Sequence, residues 1–400
     1  MMALEGLRII DMTIWQHGPV STAMLADMGA EVIKVEERES GDPGRYLSTW
    51  NFGKNSGNDL NYYFENNNRN KKSLAINLKN PEGKEVMTRL IKKSDAFVSN
   101  FREASLRRLG MDYESVHEIN PKLVYSAGYG FGPKGPDSTR PSADLAAQAR
   151  GGIMSQIQSA PPMQVWGGLA DQTGAFMLCL GTTMGLLTRE RTGIGQKVEE
   201  SLFGTQLAVG ALMAQGTLFS GSVPGEYLRR SLSPFWNVYK TKDEKWLCLS
   251  VLDMGRDWEA TCRALDLEWM MEDPRFQSGE DRVFDHADAL IDILEQTFAK
   301  KTREEWREIL DATDVIWAPV QNYQEALTDE QALANDYVVE IDHPNAGKVK
   351  MLGLPIKFSE TPGKVRSGAP ELGQHTEELL TELLDYSWDE VTGLKDKRVI

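Results

Sequence analysis

Leu7-Arg8-Ile9-Ile10-Asp11 and Glu31-Val32-Ile33-Lys34-Val35 are two short apolar runs near the start of the chain, and together they decide the fold class. A helical segment, residues 20–28, lies between them and follows Pro19, which suits the first position of a helix. Strand, helix and strand within about thirty residues are typical of a βαβ unit with a parallel sheet. The turn after the first run lacks the Gly-x-Gly-x-x-Gly spacing of dinucleotide sites, so we predict a Rossmann-like sheet without a nicotinamide cofactor.

Further strand-like runs continue this pattern along the first half of the chain. Residues 74–78, 96–98 and 123–127 are short apolar runs, and residues 80–93 have the apolar spacing of an amphipathic helix. A glycine-rich loop, residues 128–136, follows the last of these runs. Ligands of open α/β sheets bind outside the carboxyl ends of the strands, so we predict that this loop is one wall of a binding site.

The sequence pattern changes from Phe235 onwards. Residues 237–240 and 246–250 flank a polar turn, as in a β-hairpin, and a capping box at Thr302 begins the last of three helices. Four hundred residues exceed what one hydrophobic core usually supports. We therefore predict an α/β protein with a Rossmann-like, parallel-sheet large domain over residues 1–227 and a smaller α+β domain over residues 228–335. Residues 336–400 are expected to return to the large domain.

Charge and composition exclude several classes of protein. The net charge of −15 argues against a general binder of nucleic acid or anionic membrane, since both need a basic protein surface. Three scattered cysteines do not suggest a disulfide framework, which predicts a reducing, cytoplasmic location. The histidine spacing does not suit a metal site. The N-terminus lacks the pattern of a signal peptide, and no apolar run approaches the roughly 20 residues that span a bilayer.

Gly167-Gly168-Leu169-Ala170-Asp171 leads into a long run of small and apolar residues, which we expect to form a helix buried on most sides. A helix N-terminus favours negative charge because its N–H groups are unpaired, so Asp171 is expected to stay ionised at neutral pH. An ionised, loop-mounted carboxylate is a usable nucleophile or base. Asp is also a preferred N-cap residue, and this motif alone does not separate the two roles.

A basic segment, Asn68-Arg69-Asn70-Lys71-Lys72-Ser73, interrupts the acidic chain. Such a cluster is a candidate contact for a phosphate group, because an anionic ligand of an acidic protein needs a local basic pocket. The alternative is a solvated turn with no ligand.

Several different short motifs are distributed along nearly the whole chain, in a specific order and spacing. They are residues 4–11, Gly18-Pro19 with residues 30–36, residues 68–74, Asn100-Phe101-Arg102, Tyr129-Gly130 with Gly135-Pro136, residues 170–174 and residues 192–198. In this order the chain resembles class III CoA-transferases, the family that includes formyl-CoA:oxalate, crotonobetainyl-CoA:carnitine and 2-hydroxyacyl-CoA transferases. The resemblance implies a Rossmann-like large domain, a small domain and an interlocked homodimer.

The same resemblance implies that Asp171 is the nucleophile and forms an aspartyl-CoA thioester during the reaction. Coenzyme A and acyl-CoA are then substrates, with no prosthetic group and no metal. The implied partners are an acyl-CoA, a carboxylic acid and a second copy of the chain, without nucleic acid or membrane. Backbone N–H groups are expected to receive the oxyanion, and the glycines that flank Asp171 would allow a close approach of the substrate.

Ten further positions are implied to line the coenzyme A site. Gln16 and His17 match the thioester end, and Asp144 matches a position near the acyl group. The other matching positions, in which the arginines suit a nucleotide phosphate and the phenylalanine suits adenine, are Ile76, Asn77, Lys79, Asn100, Phe101, Arg102 and Arg108. Three of the ten have ordinary alternatives: His17 as a packed or solvated loop histidine, Arg108 as a surface helix residue, and Asp144 as an N-cap.

Two departures from the family pattern bear on the reaction. Formyl-CoA transferase has a run of glycines that covers its intermediate, whereas residues 230–234 here contain none, which argues against such a lid and against an oxalate-sized substrate. The racemase branch uses a histidine base where this chain has Ala143. Residues 235–240 and 330–337 are similar to transferases of aryl or branched 2-hydroxy acids.

We therefore predict a CoA-transferase that acts on a medium-sized 2-hydroxy or aryl acid. Two alternatives stay open at this point: a 2-methylacyl-CoA racemase or epimerase of the same fold, and a non-catalytic CoA-binding protein.

Overall fold

The computed structural model describes the chain except for residues 51–59, 157–160, 224–229, 231, 232, 252 and 254, and except for the side chains of residues 48–50 and 283. Two compact units make up the chain. The large unit comprises Met1–Phe219 and Ala334–Ile400, and the small unit comprises Ser220–Leu333.

Six parallel strands form the central sheet of the large unit, in the order β3-β2-β1-β4-β5-β6. The order reverses between β1 and β4, and open α/β sheets bind their ligands at such a reversal. This topology confirms the predicted α/β class and parallel sheet. The strands of the chain are β1 (Arg8–Met12), β2 (Glu31–Glu36), β3 (Lys72–Ala75), β4 (Ala96–Ser99), β5 (Val124–Tyr129), β6 (Lys197–Ser201), β7 (Trp236–Lys240), β8 (Trp246–Ser250), β9 (Trp317–Val320), β10 (Val338–His343) and β11 (Gly347–Leu352).

Helices cover both faces of the parallel sheet, because side chains that alternate along each strand are apolar in both directions. Ile9 packs with Leu25 and Leu178 on one face, and Ile10 packs with Val86 and Leu394 on the other. The helices are α1 (His17–Asp27), α2 (Tyr62–Asn68), α3 (Pro81–Lys92), α4 (Glu103–Leu109), α5 (Tyr113–Ile119), α6 (Asp144–Arg150), α7 (Ile153–Gln156), α8 (Leu169–Thr192), α9 (Leu202–Val209), α10 (Ala211–Ser220), α11 (Trp258–Ala264), α12 (Ala287–Phe298), α13 (Arg303–Leu310), α14 (Tyr323–Ala326), α15 (Glu330–Ala334), α16 (Thr376–Glu378) and α17 (Trp388–Asp396).

The small unit is built on a three-stranded antiparallel sheet, β7-β8-β9. The predicted hairpin is confirmed as the β7–β8 pair, and the predicted capping box joins Thr302 and Glu305 at the start of α13. Phe235, Leu247 and Trp306 are buried in a core of this unit's own. The second antiparallel pair, β10–β11, belongs to the large unit.

Helix α8 departs from the prediction that it would be buried on most sides. Ala170, Gly174 and Leu178 face the sheet and are buried. The opposite side exposes large apolar side chains, namely Phe176, Met177, Leu180, Met184 and Leu187. The prediction was wrong for a single chain because the sequence pattern reports that a face is apolar but not what packs against it.

Among the described residues, no single helix is long and apolar enough to cross a bilayer. Helices α9 and α10 reach that length and composition only as a pair, and they are bent by 78° relative to each other.

Buried charges lie near the carboxyl ends of β1 and β2. The Lys71 ammonium donates to Asp11 Oδ2 at 2.7 Å, to the carbonyl oxygens of Pro19 and Asn67, and to the Asn68 side chain. Lys34 lies 2.8 Å from Asp42 Oδ2, and both side chains are fully buried. These contacts join β1, β2, α1 and α2, and so fix the start of the loop that follows β1.

The cations of the basic segment, residues 68–73, which is a candidate phosphate contact, form ion pairs within the protein. Lys71 is enclosed, the guanidinium of Arg69 lies 2.7 Å from Asp27 Oδ2, and Lys72 pairs with Glu31 and Glu378. Each cation of the segment has an anionic partner within the protein.

We predict that Lys71→Met and Lys72→Met differ strongly in their effect on stability. Lys71→Met leaves the buried Asp11 carboxylate without its main partner and should lower the free energy of unfolding by about 3–5 kcal/mol. Lys72 is one third exposed, so Lys72→Met, the matched control, should cost at most about 1 kcal/mol. Urea denaturation followed by circular dichroism measures both, and equal costs would contradict the assigned burial.

Candidate active site

The loop between β1 and α1 lies at the reversal of the sheet order. Asn100 follows β4, and its side-chain amide donates to the Ile14 carbonyl at 2.8 Å and accepts from the Ile14 N–H at 3.0 Å. Gln16 Nε2 donates to the Gly167 carbonyl at 3.1 Å. Two residues predicted to bind coenzyme A thus join the β1 loop to its neighbours, which brings the β1 loop and the start of α8 together.

Asp171 lies in the first turn of α8, whose N-cap is Gly168. Gly168 has a φ of 77°, and a Cβ there would lie 2.6 Å from Gln16 Oε1, so both the backbone conformation and the close approach require glycine. The alternative that Asp171 is the N-cap is therefore wrong. Its side chain is half-buried.

Asp144 is the first residue of α6, whose N-cap is Ala143. Its Oδ1 accepts hydrogen bonds from the N–H groups of Ala170 at 2.7 Å and Asp171 at 3.2 Å, so it caps α8 from another helix. Gln148 donates to the other oxygen at 2.7 Å. Because Asp144 occupies the N–H groups of Ala170 and Asp171, these two groups are not free to receive an oxyanion.

Burial changes the acidity of Asp171 in the direction opposite to that expected at a helix N-terminus. Desolvation raises the pKa of Asp171 to about 6; His17 opposes that rise, whereas the charges of Asp144 and Glu200 add to it. The carboxylate is still mostly ionised at neutral pH, and His17 is the neighbouring group that favours this ionised form. Burial, followed by Asp171 and other carboxylates, also raises the pKa of Tyr63 on α2.

His17 is buried and pairs with a carboxylate that sequence reasoning missed. Its Nε2 lies 2.7 Å from Oε2 of Glu200, near the end of β6. Thr205 on α9 donates to the other Glu200 oxygen at 2.6 Å. Burial lowers the pKa of His17, but Glu200 first and then Asp171 outweigh it, so the net shift is upwards. The feature of the sequence that could have identified Glu200 is its position at the carboxyl end of a strand in the same parallel sheet.

The residues matched to the rest of coenzyme A lie at the carboxyl ends of β3 and β4. The Ile76 side chain is in the core, and the Asn77 N–H donates to the Val399 carbonyl at 2.8 Å. Phe101 packs partly against the same core. The cationic residues among those matched to coenzyme A are all exposed, namely Lys79, Arg102 and Arg108.

A cavity of about 960 Å³ opens beside the ends of β2 and β3. Its lining carries three cationic side chains, those of Arg38, Lys395 and Arg398, and two carboxylates with which they pair, those of Glu39 and Glu377. Arg38 Nε donates to the carbonyl of Ile400 at 2.6 Å. Sequence reasoning missed Arg38, although an arginine two residues beyond a strand of a parallel sheet is a recognisable signal for an anion site.

Two further expectations concern a metal and a lid. Among the described residues, no group of three or more His, Cys, Asp and Glu side chains is placed to hold a metal ion. The region without glycines, residues 230–234, includes 231 and 232, which lie outside the described residues. Arg230 pairs with Asp292 within the small unit at 2.7 Å.

Comparison with known proteins identifies relatives over the whole chain. The model of the family "CoA-transferase family III" matches residues 4–376. The chain is 31% identical over 406 residues to (R)-2-hydroxy-4-methylpentanoate CoA-transferase of Clostridioides difficile, with 100% of both chains covered. It is 31% identical over 404 residues to cinnamoyl-CoA:phenyllactate CoA-transferase of Clostridium sporogenes, covering 99% of this chain and 97% of that one. The crystal structure of a CAIB/BAIF family protein from Brucella suis superposes with a TM-score of 0.82 at 29% identity, covering 96% of this chain and 100% of that one.

We predict that Gly128→Ala displaces the His17 ring. A Cβ at Gly128 would lie 2.5 Å from His17 Cε1, so the variant should lose about 1–3 kcal/mol of stability by overpacking. Gly393→Ala on α17 is the control, since no atom lies within 4 Å of the added carbon, and it should gain about 0.5–1 kcal/mol. Thermal unfolding measures both, and a neutral Gly128→Ala would contradict the described seat of the imidazole.

Proposed function

The chain belongs to CoA-transferase family III and is an enzyme of the transferase class, and on that premise we propose that Asp171 carries coenzyme A from an acyl-CoA to a carboxylic acid. The observation that supports this role is a half-buried carboxylate, partly desolvated, at the reversal of a parallel sheet. A desolvated carboxylate is a stronger nucleophile than a hydrated one, because no water shell must be removed before it attacks.

The proposed reaction balances without net proton transfer. An Asp171 oxygen attacks the thioester carbonyl, the C–S bond breaks, and a mixed anhydride and the CoA thiolate result. The thiolate attacks the Asp171 carbonyl carbon, so the donor acid leaves as a carboxylate and an aspartyl-CoA thioester remains. The acceptor carboxylate attacks that thioester, and the released thiolate then attacks the acceptor acyl group, which frees Asp171. Only an ionised Asp171 can begin the sequence.

We propose that the cavity beside β2 and β3 holds the nucleotide end of coenzyme A. Arg38, Lys395 and Arg398 are cations of the kind that phosphate groups require, and a phosphate bound there would compete for them with Glu39 and Glu377. The thioester end lies beside β5 and β6, where His17 packs. Four strand spacings separate β3 from β5, roughly 19 Å at about 4.8 Å each, so a ligand that reaches both ends must be extended, as coenzyme A is.

The acyl group is proposed to be a medium-sized 2-hydroxy or aryl acid. Two relatives that match the full length of the chain are named for (R)-2-hydroxy-4-methylpentanoate and for cinnamoyl-CoA and phenyllactate. One of these names describes a branched 2-hydroxy acid and the other includes aryl acids, which is the class predicted from residues 235–240 and 330–337.

We propose that the chain forms a homodimer and that the exposed side of α8 is its interface. Phe176, Leu180 and Met184 lie on that side of the helix, about one or two turns apart, and are 45–58% exposed. A contiguous apolar face of this kind marks a protein–protein interface. Because Asp171 lies in the first turn of the same helix, a second copy seated there would also help to exclude water from the site.

Replacement of Asp171 tests the proposed nucleophile. Asp171→Ala should lower CoA transfer by about a thousandfold or more, since the proposed intermediate forms on this carboxylate. The assay uses (R)-2-hydroxy-4-methylpentanoyl-CoA or cinnamoyl-CoA with a panel of acids, and mass spectrometry detects the CoA adduct on the wild-type protein, which hydroxylamine should trap. Asp389→Ala, on the exposed start of α17, is the control. Full activity of Asp171→Ala would contradict the assignment.

The same assay separates the alternatives. A racemase would exchange the acyl α-proton for deuterium without any acceptor acid, and a non-catalytic protein would bind CoA with neither reaction.

Replacement of Arg38 tests whether the cavity binds the nucleotide end of coenzyme A. Arg38→Met should raise KM for the acyl-CoA about tenfold and leave kcat unchanged, because the lost contact acts equally on bound substrate and transition state. Arg89→Met is the control, an arginine of α3 that stacks on Tyr386 and does not line the cavity. An unchanged KM for Arg38→Met would exclude the cavity as the nucleotide site.

A further inference from the structure

We propose that His17, held as an imidazolium by Glu200, is the positioning residue that keeps the Asp171 carboxylate ionised in its partly dehydrated site. This inference rests on the proposed role of Asp171 as the nucleophile and adds to it a device that maintains the reactive form. It rests on two geometric features, the seat of the imidazole against α8 and the buried contact of the ring with Glu200, and it is supported by the charges that act on Asp171.

Two glycines form the seat of the imidazole. A Cβ at Gly128 on β5 would lie 2.5 Å from His17 Cε1, and a Cβ at Gly174 on α8 would lie 3.1 Å from His17 Cδ2. Gly174 is three residues after Asp171, so the two share one face of α8 about one turn apart. The ring is therefore fixed against the helix that carries Asp171, one turn beyond it.

Glu200 is held in place to pair with this ring. It lies 2.7 Å from His17 Nε2, and Thr205 donates to its second oxygen at 2.6 Å. Both His17 and Glu200 are nearly inaccessible to solvent, with side chains 6% and 8% exposed. A buried carboxylate this close favours the protonated imidazole, because an unpaired buried charge would cost far more than the pair.

The other described groups that act on Asp171 cannot replace His17. Asp144 of α6 and Glu200 of β6 are carboxylates that raise the pKa of Asp171, and Tyr63 of α2 is a neutral phenol beside it. Among the described residues, His17 is the group that acts on Asp171 in the opposite direction. Without it, neighbouring carboxylates and partial burial would together favour the protonated, unreactive acid.

The first experiment measures Asp171 directly in the ligand-free protein. Aspartate labelled with ¹³C at the side-chain carboxyl is titrated by NMR, and the Asp171 signal is assigned by its loss in Asp171→Asn. In His17→Gln the pKa of Asp171 should rise by about one pH unit or more above the wild-type value, a tenfold loss of the ionised form at low pH. An unchanged pKa in His17→Gln would overturn the proposal.

The second experiment measures the effect of Glu200 on His17. With ¹⁵N-labelled histidine, Glu200→Gln should lower the pKa of His17 by about one pH unit or more, whereas Glu199→Gln should leave it unchanged. Glu199 is the matched control, one residue earlier on β6, where it pairs with Lys197 at 2.9 Å and accepts from Tyr129. A neutral His17 in the wild-type protein at pH 7 would refute the proposal without any variant.

Two further measurements keep the test decisive. If His17→Gln does not fold, the double variant His17→Gln with Glu200→Gln removes both charges together, and the pKa of Asp171 should still rise, because His17 acts on it more strongly than Glu200 does. For the functional readout, the pH at which CoA-adduct formation is half-maximal should rise with the Asp171 pKa in the same variants. If no acyl-CoA modifies the wild-type protein, the transferase proposal fails, while the two NMR titrations still decide the role of His17.

Discussion

The enclosed ammonium of Lys71 is the contact on which the arrangement of the site depends. It bonds to Asp11 at the end of β1, to the Pro19 carbonyl in α1 and to two positions in α2. A buried ammonium that donates to four oxygens cannot move without losing several hydrogen bonds at once, and each lost hydrogen bond costs much free energy in an interior without water. The loop between β1 and α1, which carries Gln16 and ends at His17, is therefore fixed at its start.

Much of the fold could be predicted because its causes are local. The apolar runs of β1 and β2, the capping box at Thr302 and the β7–β8 hairpin each depend on residues that are neighbours in sequence. The site was predicted less well because its contacts join distant segments. Glu200 meets His17 across 183 positions, and Asp144 meets the start of α8 across 26. The anionic partners of the basic segment, residues 68–73, could not be predicted for the same reason, since they lie elsewhere in the chain.

Two opposing effects set the state of Asp171. A helix N-terminus favours the anion by a modest amount, about 0.3–1 kcal/mol at an exposed position. His17 favours the anion as well, but burial and two neighbouring carboxylates favour the neutral acid more strongly, and the net result is a pKa raised to about 6. The sequence displays the helix N-terminus but not the depth of burial, so it predicted the correct ionised form for an incomplete reason. The balance leaves a carboxylate that is charged at neutral pH and yet poorly hydrated.

The cap supplied by Asp144 explains how Asp171 stays available at that position. An acidic residue in the first turn of a helix commonly turns back to accept hydrogen bonds from the free N–H groups there, and such bonds would hold its lone pairs. In this protein the N–H groups of Ala170 and Asp171 already donate to Asp144, which comes from a separate helix. Gln148 holds Asp144 in turn, and Gln148 is fixed by its own bonds to the backbone of Val165. The capping role therefore belongs to Asp144 and not to the reactive carboxylate. The lone pairs of Asp171 do not have to accept hydrogen bonds from these N–H groups.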